Sequence, residues 1–95
     1  MEKLGHKWQD HKIDELFKII LKLKNQKEAS VFFRDLCTLE EINEMAKRWQ
    51  AAKMIKGGSP YRAIAKKTGL STATVTRVAY WLNHGEGGYQ LMLKR

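Results

Sequence analysis

One stretch, SPYRAIAKKTGLSTATVTRVAYWL from Ser59 to Leu82, limits what this chain can fold into more than any other. A helix start is followed by a tight turn at Gly69 and a second helix start at Ser71, which is the sequence form of a helix-turn-helix spanning about 59–82. Ser59 is expected to cap the first helix, with Pro60 at the first helical position, where its missing N–H costs nothing. Ile64 and Ala65 face inward, and small Ala65 suits a close helix crossing. Gly69 supplies the positive φ that ends a helix sharply, and Leu70 plugs the turn into the core. Ser71 caps the second helix. Val75 and Val78, about one turn apart, point back at Ile64 and Ala65. Gly also joins helices in ordinary bundles. The agreement of Ala65, Gly69, Leu70, Val75, Val78 and both caps is what favours the DNA-reading hairpin.

In that geometry Thr72, Ala73, Thr76, Arg77 and Tyr80 form the outer face of the second helix. They offer short polar groups, a methyl, a guanidinium and a phenol to base edges and phosphates. Ser59, Tyr61, Arg62, Lys66, Lys67, Ser71 and Tyr80 are assigned mainly to phosphates. Arg77 has two candidate jobs, a base contact or a place beside a ligand pocket.

Charge agrees with the motif. The net charge is +8, and it is unevenly placed. From Met45 to Gly85 there is no Asp or Glu, while Lys47, Arg48, Lys53, Lys56, Arg62, Lys66, Lys67 and Arg77 all lie there. Before Thr38 the chain carries eight basic and six acidic residues, near balance. A solvated basic face alone means little. Centred on a helix-turn-helix, it is the footprint expected of a double-stranded DNA partner.

Around the motif the pattern is helical throughout, and no strand alternation is convincing. Residues 1–9 look frayed. From Asp10 a stripe of Ile13, Leu16, Phe17, Ile20 and Leu23 marks a helix, widened by Ile19 and Leu21. A second helix runs from about Gln26 to Leu36, with Ala29, Val31, Phe32, Phe33 and Leu36 inside. Thr38 with Glu41 makes a capping box. A third helix runs from Leu39 to about Lys56, its buried face being Ile42, Met45, Ala46, Trp49, Ala52 and Met54–Ile55. Gly57-Gly58 ends it. His84-Gly85 breaks the chain again, and a short last helix carries Tyr89, Leu91, Met92 and Leu93. The reading is all-α, about six helices in a single domain spanning 1–95, with no linker and no repeat.

Phe17, Ile19, Ile20, Leu21, Phe32 and Phe33 exceed what one small core can hide. A homodimer is therefore expected, its interface built from helices at about 10–36 and in part the last helix. Two-fold symmetry would set two reading helices about 34–36 Å apart, one DNA turn, on a palindromic site.

Other chemistries find little support. Cys37 is the only cysteine, so no internal disulfide forms, which fits a cytoplasmic protein. The polar N-terminus has no apolar signal segment, and no apolar run approaches a membrane span. His6, His11 and His84 have no metal spacing. Glu40, Glu41 and Glu44 sit where a helix dipole favours carboxylates. No nucleophile–base set suggests an enzyme. Trp8, Trp49 and Trp81 read as core or interface anchors. No catalytic residue, metal or cofactor is expected. A targeted enzyme such as a recombinase would need a further domain; 95 residues leave no space, and Met1 reads as the natural start. A helical protein-interaction module, with its basic face on an acidic partner, remains a second reading.

The runs LCTLEEINEMAKRWQAAKMIKGG, Leu36–Gly58, and YRAIAKKTGLSTATVTRV, Tyr61–Val78, resemble the Trp repressor family, closest to its YerC/YecD-type branch. DLCTLEEI and TGLSTATVTRV are the most specific segments, and the resemblance spans roughly residues 10–95. It implies an all-helical intertwined homodimer that regulates transcription, by default as a repressor, with the second motif helix in the operator. It also implies a corepressor pocket in which tryptophan lies between two arginines. Arg48 and Arg77 match those two, and Thr74 matches a third pocket residue. Two positions depart. The family has glycine where Val78 stands and, three residues on, serine where Trp81 stands. The Trp81 indole is large enough to fill such a pocket from within, or to anchor the interface. Tryptophan, another small ligand or no ligand remain open as effectors.

Overall fold

The computed structural model describes residues 8–95. Over them it has six helices and no strand: α1 (His11–Ile20), α2 (Gln26–Leu36), α3 (Leu39–Lys56), α4 (Tyr61–Thr68), α5 (Thr72–His84) and α6 (Gly88–Leu93). The all-α reading holds. The chain divides into an N-terminal unit ending at Thr38 and a C-terminal unit, Leu39–Arg95. The expected fraying of the first residues and the reading of His6 fall largely outside the described range. Trp8, inside it, sets its ring edge-on to Phe17 with centroids 6.1 Å apart.

In the N-terminal unit both helices start on a side-chain cap. The Asp10 carboxylate accepts from the Ile13 N–H at 2.9 Å. That bond, joined by the Lys12 ammonium, holds its carboxyl below the usual carboxylate range. Asn25 caps α2 by accepting from the Glu28 N–H at 2.9 Å, and Glu28 in turn accepts from the Lys24 N–H at 2.9 Å. These caps correct the extent of α1. The apolar stripe places Leu23 on this helix, yet α1 stops at Ile20. Lys22 and Leu23 donate only three residues back, to Ile19 and Ile20, as the chain tightens into the α2 cap.

Neither α1 nor α2 has a buried residue. Ala29, Phe32 and Phe33 are half-buried, with the two phenyl rings edge-to-face at 5.8 Å. Val31 and Leu36, expected inside, are exposed, and Leu21 is 83% exposed.

The C-terminal unit holds the core. Ala51 and Ala52 of α3, Ile64 of α4, Leu70 of the turn, and Val75 and Val78 of α5 form one buried cluster, flanked by Trp49, Met54, Ile55, Ala65 and Tyr89. Burying each of the larger aliphatic side chains contributes roughly 1.5–3 kcal/mol. Adjacent alanines let α3 approach its neighbours closely, and Ala51 joins the core although the apolar periodicity does not single it out. Met45 and Ala46, expected on the buried face, are exposed, because the core touches only the C-terminal half of α3. Trp49 stacks on Tyr89 at 6.4 Å, and burial raises the Tyr89 phenol above its ordinary pKa. The Gln90 amide donates to the Leu82 carbonyl at 3.0 Å, tying α6 to α5.

Candidate nucleic-acid interface

The motif is built locally as its residues dictate, with one exception. At the end of α3 the Ser59 N–H reaches the Met54 carbonyl and the Gly58 N–H the Ile55 carbonyl, both at 3.0 Å, with Gly58 at φ +89°. This is a Schellman close. It corrects the expected cap of α4. Pro60, extended at ψ 146°, is the cap residue itself, the helix begins at Tyr61, and no side chain caps it. Ser59 stands one residue too early because its backbone is closing α3.

The turn behaves as expected. Gly69 has φ +82° and donates to the Ala65 carbonyl at 2.9 Å. Thr68 locks it from beneath: its hydroxyl donates to the Ile64 carbonyl at 2.8 Å and accepts from the Leu70 N–H at 3.2 Å. The Ser71 oxygen accepts from the Thr74 N–H at 3.1 Å and so caps α5. The other end of α5 closes at Gly85, whose N–H donates to the Trp81 carbonyl at 2.8 Å. A Cβ at Gly85 would strike that same carbonyl, so the close approach requires glycine.

With Ile64, Val75 and Val78 fully buried, the opposite faces of α4 and α5 turn outward. Ser71, Thr72, Ala73, Thr76, Arg77 and Tyr80 are all exposed, as are Tyr61, Arg62, Lys66 and Lys67, while Ser59 is half-buried. The Thr76 hydroxyl donates to the Thr72 carbonyl at 2.9 Å, which leaves its oxygen lone pairs outward as acceptors. Tyr80 lies against the His84 ring, centroids 4.9 Å apart. No acidic residue occurs on α4 or α5. Lys47 of α3, not among the expected site residues, brings its ammonium over the turn, 3.6 Å from where a Gly69 Cβ would project. Its part in the basic patch shows only once α3 is packed behind the hairpin.

The expected pocket residues sort differently. Arg77 and Thr74 are joined, Nη2 to Oγ1 at 3.1 Å, and Thr74 Oγ1 also accepts from the Ser71 hydroxyl at 3.0 Å. Arg48 is engaged elsewhere. Its Nε pairs with Glu44 at 3.3 Å, and its guanidinium lies 5.5 Å from the Trp81 ring centroid. The Glu44–Arg48 pair is an i,i+4 spacing visible in the sequence. The Trp81 contact joins α3 to α5 and carries no local signal.

Among the described residues no cluster of His, Cys, Asp or Glu is placed to hold a metal ion, and no helix is long and apolar enough to cross a membrane. Residues 11–95 match the sequence family described as Trp repressor protein. The uncharacterized protein YerC of Bacillus subtilis (strain 168) is 43% identical over 89 residues, covering 94% of this chain and 86% of YerC. A solved TrpR-like protein from Eubacterium eligens ATCC 27750 superposes with a TM-score of 0.89 at 43% identity, covering 94% of this chain and 92% of that one. A second solved structure, a putative Trp repressor from Staphylococcus aureus, gives 0.87 at 45% identity, covering 94% of this chain and 89% of that one.

Tested against this geometry, the residues do not fit a tryptophan corepressor. Such a ligand needs a free guanidinium face and a free hydroxyl. One face of Arg48 lies against Trp81, Arg77 is bonded to Thr74, and the Thr74 oxygen already accepts two bonds.

Proposed function

The chain belongs to the Trp repressor family, and from that premise we propose that it is a sequence-specific DNA-binding regulator of transcription, acting in the cytoplasm as a homodimer and by default as a repressor. The observation that carries the reading is the exposed outer face of α5, backed by a buried hairpin core and flanked by cationic α4. The first turns of α5, with Thr72, Ala73 and Thr76, enter the major groove. Arg77 meets a base or a nearby phosphate, and its bond to Thr74 aims it toward the start of α5. Tyr61, Arg62, Lys66, Lys67, Ser71 and Tyr80, with Ser59 behind them, grip the backbone and fix the register.

Dimerisation is supported by apolar surface the protomer leaves uncovered: Phe17, Ile19 and Leu21 at α1, Val31 and Leu36 on α2, and Leu91 and Met92 on α6. Exposed apolar side chains on each unit are what supports this reading. A second copy gives the two-fold spacing of reading helices that a palindromic site needs.

Equilibrium titrations of duplexes with single base changes test the division of labour. Thr72→Ala and Thr76→Ala are expected to change which base is preferred, each removing about 1–3 kcal/mol of discrimination at its position. Variants of Arg62, Lys66 or Lys67 are expected to keep the preference intact. Equal changes of preference in both groups would overturn the assignment. A protein-interaction module on an acidic partner would show no sequence preference at all.

A further inference from the structure

We infer that Trp81 is a built-in occupant of Arg48, so that the chain's own indole, rather than a free ligand, sets the angle of the reading helix. The inference rests on the DNA-reading role proposed above and concerns its regulation. Trp81 lies on α5, two turns beyond Thr74, and is only 38% exposed despite its place on the outer half of the helix. The Arg48 guanidinium lies over its ring, and Glu44 pairs with the Nε of that guanidinium. Glu44, Arg48 and Trp81 thus run as one relay from α3 to α5. The bonds among Ser71, Thr74 and Arg77 lie within the first turns of α5 and tie it to no neighbour, which leaves the Arg48–Trp81 contact as the polar link between α3 and α5.

The core beneath this contact is built largely of aliphatic side chains of small and medium size. Its largest fully buried side chains are Ile64, Val75 and Val78, and α3 contributes two alanines. Small side chains permit one helix to tilt over another, and a stacked cation removes that freedom. An external aromatic ligand would have to displace Trp81 from Arg48, giving up one stack to form another. DNA binding by this chain is therefore constitutive with respect to such ligands, and Trp81 is a positioning residue.

The test uses the full chain and a duplex carrying its selected site. Trp81→Leu and Arg48→Met, which keep bulk but remove the stack, are each expected to weaken specific binding by about tenfold, within the range of a partly desolvated cation–π pair. The double variant is expected to lose no more than either single one. Trp81→Phe, which keeps a ring face, is expected to recover binding to within about threefold of the wild type. Non-specific binding at low salt is expected to stay unchanged in Trp81→Leu, which alters no charge, because it depends on phosphate contacts. A merely structural role would instead lower the melting temperature and lose both kinds of binding together. Calorimetric titration of the wild type with tryptophan at about 1 mM is expected to show no binding. Tryptophan binding there, wild-type affinity in Trp81→Leu, or multiplicative losses in the double variant would each overturn the inference. A wild type that selects no duplex would overturn the DNA reading and the positioning role with it. The calorimetry would still decide whether the site is closed to tryptophan.

Discussion

Changing Arg62, Lys66 and Lys67 together to alanine is expected to weaken binding to every duplex by at least about a hundredfold, at roughly 1 kcal/mol or more for each cation taken off a phosphate. All three side chains lie exposed on α4, in a stretch without a single carboxylate in the sequence. Their contribution comes from counterion release, so the weakening carries a signature. The slope of log affinity against log salt is expected to become shallower by about 0.9 for each phosphate no longer neutralised. Fold stability is expected to change little, since exposed cations far from buried partners are worth little to folding. An unchanged salt slope in the triple variant, measured by fluorescence anisotropy across a salt series, would show that α4 does not touch the backbone.

Ile64→Ala is expected to have the largest effect on the fold, destabilising it by about 2–5 kcal/mol. Ile64 is fully buried at the meeting of α4, the turn and α5, with Leu70, Val75 and Val78 around it. A domain of this size has a total stability of only about 5–15 kcal/mol, so the melting temperature should drop by many degrees. Its carbonyl also accepts the Thr68 hydroxyl that braces the turn, so a collapse around the cavity would reach Gly69 directly. Thermal melts followed by circular dichroism check the prediction. A shift of only a few degrees would mean that the hairpin core is held by something other than this side chain.

How much of the fold is legible in the sequence depends on whether the signal is local. The start of α5 at Ser71, the left-handed Gly69 and the bounds of α3 follow from caps and breakers that act within a few residues, and each is found where those residues place it. The burial of Ile64, Val75 and Val78 follows from helical spacing alone. Ser59 misleads because its side chain suits a cap while its backbone N–H is needed five residues back, in the Schellman close of α3. The sequence makes α1 too long because a hydrophobic stripe does not say where a neighbouring cap will pull the chain. Met45 and Ala46 look like core because periodicity marks an apolar face without saying what covers it.

The site shows the same division. The outward positions of α5 and the cations of α4 follow from spacing and charge, and they are exposed as expected. The stack of Arg48 on Trp81 and the approach of Lys47 to Gly69 depend on how α3 packs behind the hairpin. Those contacts join residues of different helices, and tertiary structure alone reveals them.

Sequence-specific binding by a two-fold dimer is tested by selection of bound duplexes from a random library by the full chain, at about 0.15 M salt and with no added ligand. An enriched palindrome is expected, its half-sites about one helical turn apart, as a two-fold dimer with α5 in successive major grooves requires. Absence of any enriched sequence under these conditions would rule out ligand-independent, sequence-specific binding.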